Sequence, residues 1–463
     1  MTRRIVVIGG GVGGLSAAYY ARKANPEATI TVLEASAEFG GVTKTRRPDG
    51  LVLEEGPDSI IRIKPAGLQL LTDLGLDQHI QATQPQARQS FIVRAGRLVP
   101  VPEGLYLMAP GRWWPFLWTR LVSWSGKIRM GLDLLIPRRR ADAPEESLAA
   151  FVRRRLGREA LERIAQPMVG GIYTADPERL SLQATMPQFV EMEREHRSLL
   201  LAMRRRAKAM AKAPGGGGGT SGPRYGLFMS LPGGLGDLVA ALQTALSDCD
   251  LRTEASVRGL VRVGDQWQVQ LDAGEVAADE VVLALPAHAA APVVRSADSE
   301  LAELLQTIPY AGVATVNLVY PADAVERLPD GAGFVVPSVE HRAILACTNV
   351  TCKYPGRAPE GTVILRAFVG GGLHEVDLEA DDEQMVARCV AELRDLVGLR
   401  GEPQRVHVAR WPRAMAQHVL GHEERLAAIR ARERALTGLH LVGNGYEGVG
   451  IPDIVAQGKA IWA

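Results

Sequence analysis

Residues Arg3–Lys23 read "RRIVVIGGGVGGLSAAYYARK", a β-branched run followed by a glycine-rich turn and a helix-forming segment. Gly9, Gly11 and Gly14 have the spacing G-x-G-x-x-G, which allows a tight turn, close approach of the backbone to a pyrophosphate and close packing of helix on strand. The next predicted strand ends in Glu34, about 20 residues after the last of these glycines, where a carboxylate receives ribose hydroxyls. The stretch therefore predicts a Rossmann-type unit that binds a dinucleotide.

The composition is that of a globular protein with more than one domain. The chain has 463 residues, of which 46% are hydrophobic and 23% charged, and its net charge of +1 argues against nucleic acid as a partner. No apolar run reaches about 18 residues, so no transmembrane helix is predicted. Four cysteines form no disulfide framework, which fits a cytoplasmic location. His418 and His422 lack the acid of a zinc motif, so no metal site is predicted and both are interpreted as surface or structural residues.

A pair of glycines, Gly40–Gly41, follows the ribose acid. It resembles the double-glycine extension of flavin-binding members of the two-dinucleotide superfamily, so FAD is the predicted cofactor. The sequence departs from that pattern at Glu38, where the family usually has Arg, and at Val42, where a basic residue often follows. Lys44 and Arg46 are the candidates for the missing charge, and we assign Lys44 to the predicted cofactor site.

The C-terminal stretch "LHLVGNGYEGVGIPDIVAQG" predicts a strand, a bare loop that passes close to a ligand, and a helix with Pro452 in its first turn. A helix N-terminus directed at the N1/O2 edge of the flavin would stabilise the anionic reduced form by about 0.3–2 kcal/mol. Glu447 and Asp453 are interpreted as loop caps or as groups near the flavin. The predicted contacts in this stretch are Gly448, Val449, Gly450 and Ile451, and Val257 is predicted to lie beside the adenine through its backbone.

The middle of the chain is basic and rich in tryptophan. Residues 104–140 contain four of the seven tryptophans and end in Arg138–Arg140. Two interpretations remain open: a helical subdomain whose tryptophans fill its core, or a peripheral contact with a membrane. Further along, "APGGGGGTSGP" at 213–223 predicts a flexible loop or a domain boundary.

Several blocks together resemble the protoporphyrinogen/coproporphyrinogen oxidase family. They are "VVIGGGVGGLSAA", "EEGPDSI", "QPMVGGIYTADPERLSLQATMPQF", "SLPGGLGDLV" and "EGVGIPD", spread over nearly all of the chain in the family's order. The length and the "GPDS" block are most similar to the soluble type of Gram-positive bacteria, whose members oxidise coproporphyrinogen III to coproporphyrin III.

The resemblance implies the α/β fold of the flavin amine oxidase superfamily, with a two-dinucleotide-binding, Rossmann-type FAD domain, a mixed-sheet substrate domain and a helical subdomain. The expected FAD domain is discontinuous and comprises residues 1–58, 226–290 and 436–463. The expected substrate domain comprises 59–90 and 291–435. The remaining residues, 91–225, form the expected helical, basic subdomain, which would contact a membrane or a ferrochelatase.

The resemblance also implies the chemistry. Non-covalent FAD accepts six hydrogens from a porphyrinogen in three two-electron steps and O2 becomes hydrogen peroxide, with flavin N5 rather than a side chain carrying hydride transfer. It implies flavin contacts at Gly56, Pro57, Asp58 and Ser59, and substrate contacts at Gly171 and Tyr173. Because the propionates of a tetrapyrrole need cations nearby, we expect Arg62, Lys64 and Arg366 to be substrate-binding residues.

Other functions remain open. Protoporphyrinogen IX is the alternative substrate within the family. A flavin amine oxidase would place a lysine on the strand "GVATVNLVY" and an aromatic residue where Ile451 stands, and this chain has neither. More distant alternatives are a phytoene desaturase-like enzyme and a non-catalytic protein that binds flavin or porphyrin.

Overall fold

The computed structural model describes residues 2–140, 142–212 and 228–463. The predicted glycine-rich boundary at 213–223 therefore lies outside the described residues. The described chain forms a parallel sheet with helices, a large mixed sheet and a helical unit. The predicted fold class is confirmed.

Five parallel strands form the first sheet, here called the nucleotide sheet. Their order is Asp250–Arg252, Thr29–Leu33, Arg4–Ile8, Glu280–Leu283 and Leu439–Leu441. Alternate side chains face opposite sides, so Ile5 and Val7 pack against helices while Val6 and Ile8 face a second layer. The helices on the first side are Val12–Ala24, Pro65–Asp73, Gly236–Ala245 and Ile451–Ala460.

The second layer is a three-stranded antiparallel sheet with three helices. Its strands are Val257–Val263, Gln266–Leu271 and Glu275–Ala278, and its helices are Ala287–Val294, Ser299–Gln306 and His422–Ala435. Trp267 is fully buried between this sheet and the nucleotide sheet.

Seven strands form a mixed sheet, here called the large sheet. Their order is Arg405–Ala416, Tyr310–Pro321, Thr362–Gly370, Ala346–Asn349, Gly333–Val335, Phe91–Arg94 and Arg97–Pro100. The helix Asp382–Val397 packs against Val316 and Leu318 on one face. Because successive side chains of a strand point to opposite faces, Thr315 and Asn317 point away from that helix.

Two strands of this sheet, Phe91–Arg94 and Arg97–Pro100, fall in the stretch that sequence analysis assigned to the helical subdomain. They form a hairpin around Ala95 and Gly96, which have φ of 49° and 70°. Short strands connect the units elsewhere. These are Thr45–Arg46 with Leu53–Glu54, Leu105–Tyr106 with Ala109–Pro110, and Ile60–Ile61 with Phe228–Ser230 and Gln81–Ala82.

The helical unit is built around a buried core and a buried ion pair. Its helices are Trp113–Trp118, Trp124–Gly131, Leu148–Arg155, Arg158–Ala160, Leu161–Ala165, Gln166–Tyr173, Leu182–Thr185, Pro187–His196 and Leu199–Lys212. Ser123, Ser147 and Ser181 cap three of them by accepting a backbone N–H. Arg155 is fully buried and pairs with Asp133.

The tryptophans of this unit do not form its core. Trp114 and Trp118 are 74% and 76% exposed, and Trp124 is also exposed. The short helix Trp113–Trp118 buries Phe116 instead, and Lys127 donates to two carbonyls at its end. The core-filling interpretation is therefore wrong for these three residues. Among the described residues, no helix combines the length and apolar character needed to cross a bilayer.

Candidate functional site

The glycine-rich turn between the first strand and helix has the geometry of a phosphate cradle. Gly9 has φ of 108°, and a Cβ on it would lie 2.4 Å from the carbonyl oxygen of Ala284. A Cβ on Gly14 would lie 1.8 Å from the carbonyl oxygen of Gly9, so the helix packs against the turn as the motif requires. At Gly11 a Cβ would lie 3.9 Å from its nearest neighbours, in Gly40 and Gly41, so the turn is not tightly closed at the helix N-terminus.

Glu34 and the double glycine frame the same turn. The Glu34 carboxylate accepts from the backbone N–H of Gly10 (2.7 Å) and of Ser36 (2.8 Å). Gly40 has φ of 116° and donates to the Gly10 carbonyl (2.8 Å). The Ser36 hydroxyl also donates to Oε1 of Glu34 (2.7 Å), whereas Oε2 accepts only from Gly10 among the described residues, so Oε2 can still receive a hydroxyl donor. Ala255 donates to the Glu34 carbonyl (2.8 Å), which brings the strand that begins at Val257 near this acid.

The two cations that sequence analysis considered for this turn are already paired. Lys44 lies 3.0 Å from Glu38, and Arg46 makes a bidentate contact with Glu38 and a further bond of 2.7 Å to Glu55. The hydrogen bonds from Arg46 and then Lys44 lower the pKa of Glu38 to about 2. The acid that departs from the family pattern is thus neutralised locally by both residues.

Residues 54–56, just before the predicted flavin contacts, are bound by the large sheet. Four side chains of that sheet donate to successive backbone carbonyls. They are Asn317 to Glu54 (3.1 Å), Thr315 and Trp411 to Glu55 (both 2.8 Å), and Arg366 to Gly56 (3.1 Å). A Cβ on Gly56 would lie 2.0 Å from the Val42 carbonyl oxygen, so no other residue fits there.

Just after these bound carbonyls, Asp58 lies in a cluster of buried charged side chains. Lys353 contacts both Asp58 oxygens (2.8 and 2.9 Å) and Ser59 (2.9 Å), and Arg366 contacts Asp58 (2.8 Å). Burial alone would raise the pKa of Asp58, but the two cations hold that pKa well below its usual range. Arg366, which we expected to bind substrate, is thus buried and paired. Sequence reasoning missed Lys353 because no local motif marks the short helix Val350–Lys353, which it ends.

Two buried histidines support the C-terminal loop. His418 and His422 stack with ring centroids 4.0 Å apart, and their Nε2 atoms lie 3.0 Å from the carbonyls of Asn444 and Tyr446. A carbonyl only accepts, so both Nε2 atoms carry hydrogen and both rings can remain neutral. Glu447, in the same loop, is paired with Arg430 (2.7 and 2.5 Å).

Lys64 forms an ion pair with Asp453, whose charge acts on Tyr173 of the helical unit. Lys64 contacts both oxygens of Asp453 at 2.6 and 2.7 Å. Burial, and then the Asp453 charge, raise the pKa of Tyr173 to about 12. Gly448 has φ of 117° and no room for a Cβ beside the Asp453 carboxylate. Two further predicted residues lie apart from this group: Gly171 is exposed near Val335, and Arg62 is exposed without an ion pair among the described residues.

The first prediction concerns the phosphate cradle. Gly14→Ala is expected to weaken FAD binding about tenfold to a hundredfold, because its Cβ would force the turn and helix apart. Titration of apoprotein with FAD, followed by quenching of flavin fluorescence, measures this. The matched control is Gly131→Ala, at a glycine with helical φ of −60° and no atom within 4 Å of the added Cβ. Equal FAD affinity of both variants would contradict the assignment.

The second prediction concerns the histidine pair. Burial, and then His422, lower the pKa of His418 to about 4, and burial also lowers the pKa of His422. Between pH 6.5 and 4 the unfolded chain therefore binds protons that the folded chain does not, so stability falls as pH falls. For His418 the loss reaches about 3 kcal/mol. The temperature at which flavin fluorescence is released should drop over this range.

His418→Gln is the control for this effect, since the amide can still donate to Asn444 but does not titrate. Its pH profile is expected to be flatter than that of the wild-type protein. Equal pH slopes in the two proteins would show that His418 is not the titrating group.

Comparisons with known proteins agree with this geometry. The family described as flavin containing amine oxidoreductase matches residues 12–460. The chain is 35% identical to coproporphyrinogen III oxidase of Bacillus subtilis over 99% of this chain and 97% of that protein. It is 29% identical to protoporphyrinogen oxidase of Bos taurus, over 99% and 97% of the two chains. A crystal structure from Exiguobacterium, assigned as a protoporphyrinogen oxidase, covers 100% of this chain and 98% of its own with TM-score 0.88 and 31% identity.

The residues present fit the cofactor of this family. The glycine turn presents backbone amides at a helix N-terminus with no close contact from the described residues at Gly11, and Oε2 of Glu34 can accept from a ribose hydroxyl beside it. The cofactor is FAD. This chain is an FAD-dependent oxidoreductase that belongs to the flavin containing amine oxidoreductases and, among them, to the protoporphyrinogen/coproporphyrinogen oxidase family.

Proposed function

We propose that the protein oxidises coproporphyrinogen III to coproporphyrin III, with three O2 reduced to three hydrogen peroxide. The observation that carries this proposal is the similarity, over nearly the full length of both chains, to coproporphyrinogen III oxidase of Bacillus subtilis. Identity to the bovine protoporphyrinogen oxidase is lower over a similar span, which makes protoporphyrinogen IX the second candidate substrate.

The chain's own residues would bind and orient the substrate. The Lys64 side chain is 48% exposed beside Asp453, so its ammonium is accessible to a substrate carboxylate. Arg62, two residues earlier, is exposed and adds a second cation. Arg366 is a weaker candidate than sequence analysis expected, because Asp58 already neutralises it in a buried position. The bound FAD supplies the hydride acceptor for the porphyrinogen.

The clamped segment 54–59 would supply the orientation. The large sheet holds the carbonyls of residues 54–56. The Asp58 carboxylate is held by Arg366 of that sheet and by Lys353 of the short helix Val350–Lys353. Flavin and substrate positions are then set by one rigid connection rather than by a flexible loop. An amine oxidase function is disfavoured because the strand Tyr310–Pro321 has no lysine, and Lys353 lies on another element in a salt bridge with Asp58.

The third prediction tests this function. FAD-loaded protein is expected to consume O2 and form fluorescent porphyrin from coproporphyrinogen III, less efficiently from protoporphyrinogen IX, and to leave benzylamine unchanged. Lys64→Ala should raise KM for coproporphyrinogen III about threefold to tenfold with a smaller effect on kcat, since a carboxylate contact is lost.

Lys23→Ala is the matched control, because Lys23 also has a partly exposed side chain in an ion pair, with Asp73 (3.3 Å). It should leave KM unchanged. No porphyrin from either porphyrinogen with the wild-type protein would contradict the proposed function, and identical KM values for the two lysine variants would contradict the role of Lys64.

We infer, as a second part of the proposal, that the helical unit contacts an anionic membrane surface. Its exposed apolar side chains fall within one stretch of the sequence, namely Trp114, Trp118, Trp124, Ile128, Leu132, Leu134 and Leu135. Exposed apolar residues in such number are unusual on a soluble monomer. Arg112, Arg120 and Arg138 lie in the same stretch and are exposed. Aromatic anchors beside cations suit the interface of an anionic bilayer.

The fourth prediction tests this surface by vesicle flotation. The double substitution of Trp118→Ser and Ile128→Ser should weaken binding to phosphatidylglycerol-containing vesicles at least about tenfold, because two apolar side chains no longer leave water. The control is Val376→Ser, at an equally exposed apolar residue outside this stretch (69%). If the wild-type protein does not float with anionic vesicles, the membrane contact is contradicted. The exposed surface would then be a binding site for another protein.

A further inference from the structure

The contact between Lys64 and Asp453 joins the start of two helices. Lys64 directly precedes the helix Pro65–Asp73, and Asp453 is the third residue of the helix Ile451–Ala460. The two helices approach closely here, since a Cβ on Gly67 would lie 3.0 Å from the Pro452 ring.

Helix stability accounts for the acid but not for the lysine. Asp453 accepts from the backbone N–H of Gly450 (3.2 Å), a favourable position for a negative charge at a helix N-terminus. The dipole of the helix Pro65–Asp73 disfavours a positive charge at Lys64, which directly precedes that helix. Because the Lys64 side chain is 48% exposed, solvent screens this ion pair and it contributes little to stability, so a stabilising role alone does not explain why a lysine stands there.

The charge of Asp453 also influences the helical unit. Its charge acts on Tyr173, which belongs to the segment that sequence analysis assigned to the substrate side. Tyr173 is fixed in place, because its hydroxyl donates to the Thr185 carbonyl (3.0 Å) and its own carbonyl accepts from Gln417 (3.0 Å). The carboxylate of Asp453 therefore contacts the accessible lysine and interacts electrostatically with a rigid residue of the helical unit.

We propose that Asp453 is a specificity residue that competes with substrate carboxylates for the Lys64 ammonium. This inference rests on the proposed function, in that it concerns the same substrate site. An ammonium has three donors, and Asp453 occupies it through both carboxylate oxygens. A polycarboxylate substrate must share or displace that contact, and a substrate without a carboxylate at this point gains nothing from Lys64. Asp453 thus weakens binding of ligands that place a carboxylate at Lys64 and leaves the binding of other ligands unchanged.

A double-mutant cycle on ligand binding tests the competition. The ligand is coproporphyrin III, which binds without turnover, and its Kd is measured by fluorescence quenching with FAD-loaded wild-type, Asp453→Asn, Lys64→Ala and the double variant. Asparagine is isosteric and can still accept from Gly450. Asp453→Asn should tighten binding about threefold to tenfold when Lys64 is present and have less than about a twofold effect in the Lys64→Ala background.

A matched control removes an acid with the same local role. Asp382 also stands in the first turn of a helix and pairs with Arg410 (2.6 Å), in another part of the fold. Asp382→Asn should leave Kd unchanged, and the flavin spectrum of each variant checks that the cofactor site is intact.

The outcomes separate this inference from the proposed function. If Asp453→Asn weakens binding, leaves it unchanged, or tightens it equally without Lys64, then Asp453 does not compete for the lysine and the inference is overturned. If wild-type protein neither oxidises a porphyrinogen nor binds coproporphyrin III, the proposed function itself fails.

Discussion

The architecture depends on how the large sheet binds residues 54–59. Side chains of three strands donate to consecutive carbonyls, and Asp58 is buried between Lys353 and Arg366. Charges buried in this way are tolerated only when paired, and separation of the two units would leave all three uncompensated. The nucleotide sheet and the large sheet are therefore fixed relative to each other at the segment where the family resemblance implies flavin contacts. Lys64 follows it by a few residues, so its position depends on the same connection.

The second fixed boundary of the site is the C-terminal loop. It is held from outside by His418 and His422 on its carbonyls and by Arg430 on Glu447. The glycines of this loop have no side chain that could hold it in place, so the supporting contacts come from other elements. Neutral histidines suit this role, because a buried imidazole that donates through one nitrogen carries no charge that needs a partner.

Local patterns allowed much of this to be predicted from sequence. Gly9, Gly14 and Glu34 lie within one strand-turn-helix-strand unit, where spacing alone determines geometry. The Asp58 cluster could not be predicted, since Lys353 is far away in sequence and has no motif. Arg366 is of the residue type expected to bind a substrate carboxylate, but its position in the strand Thr362–Gly370 pairs it with the carboxylate of Asp58 instead. The tryptophans of residues 113–124 show the same limit. Composition is compatible with both a buried core and an exposed surface, and only the structure shows that Phe116 is buried while Trp114, Trp118 and Trp124 are exposed.

The central claim is that a rigid connection between two sheets places a flavin and a polycarboxylate macrocycle next to Lys64. A crystal structure of the FAD-loaded protein with coproporphyrin III tests it most directly. The account predicts the macrocycle between residues 56–59 and Tyr173, with a propionate within hydrogen-bond distance of the Lys64 ammonium and Arg366 still paired with Asp58. A macrocycle bound elsewhere, or propionates on Arg366 with Lys64 unchanged on Asp453, would contradict it.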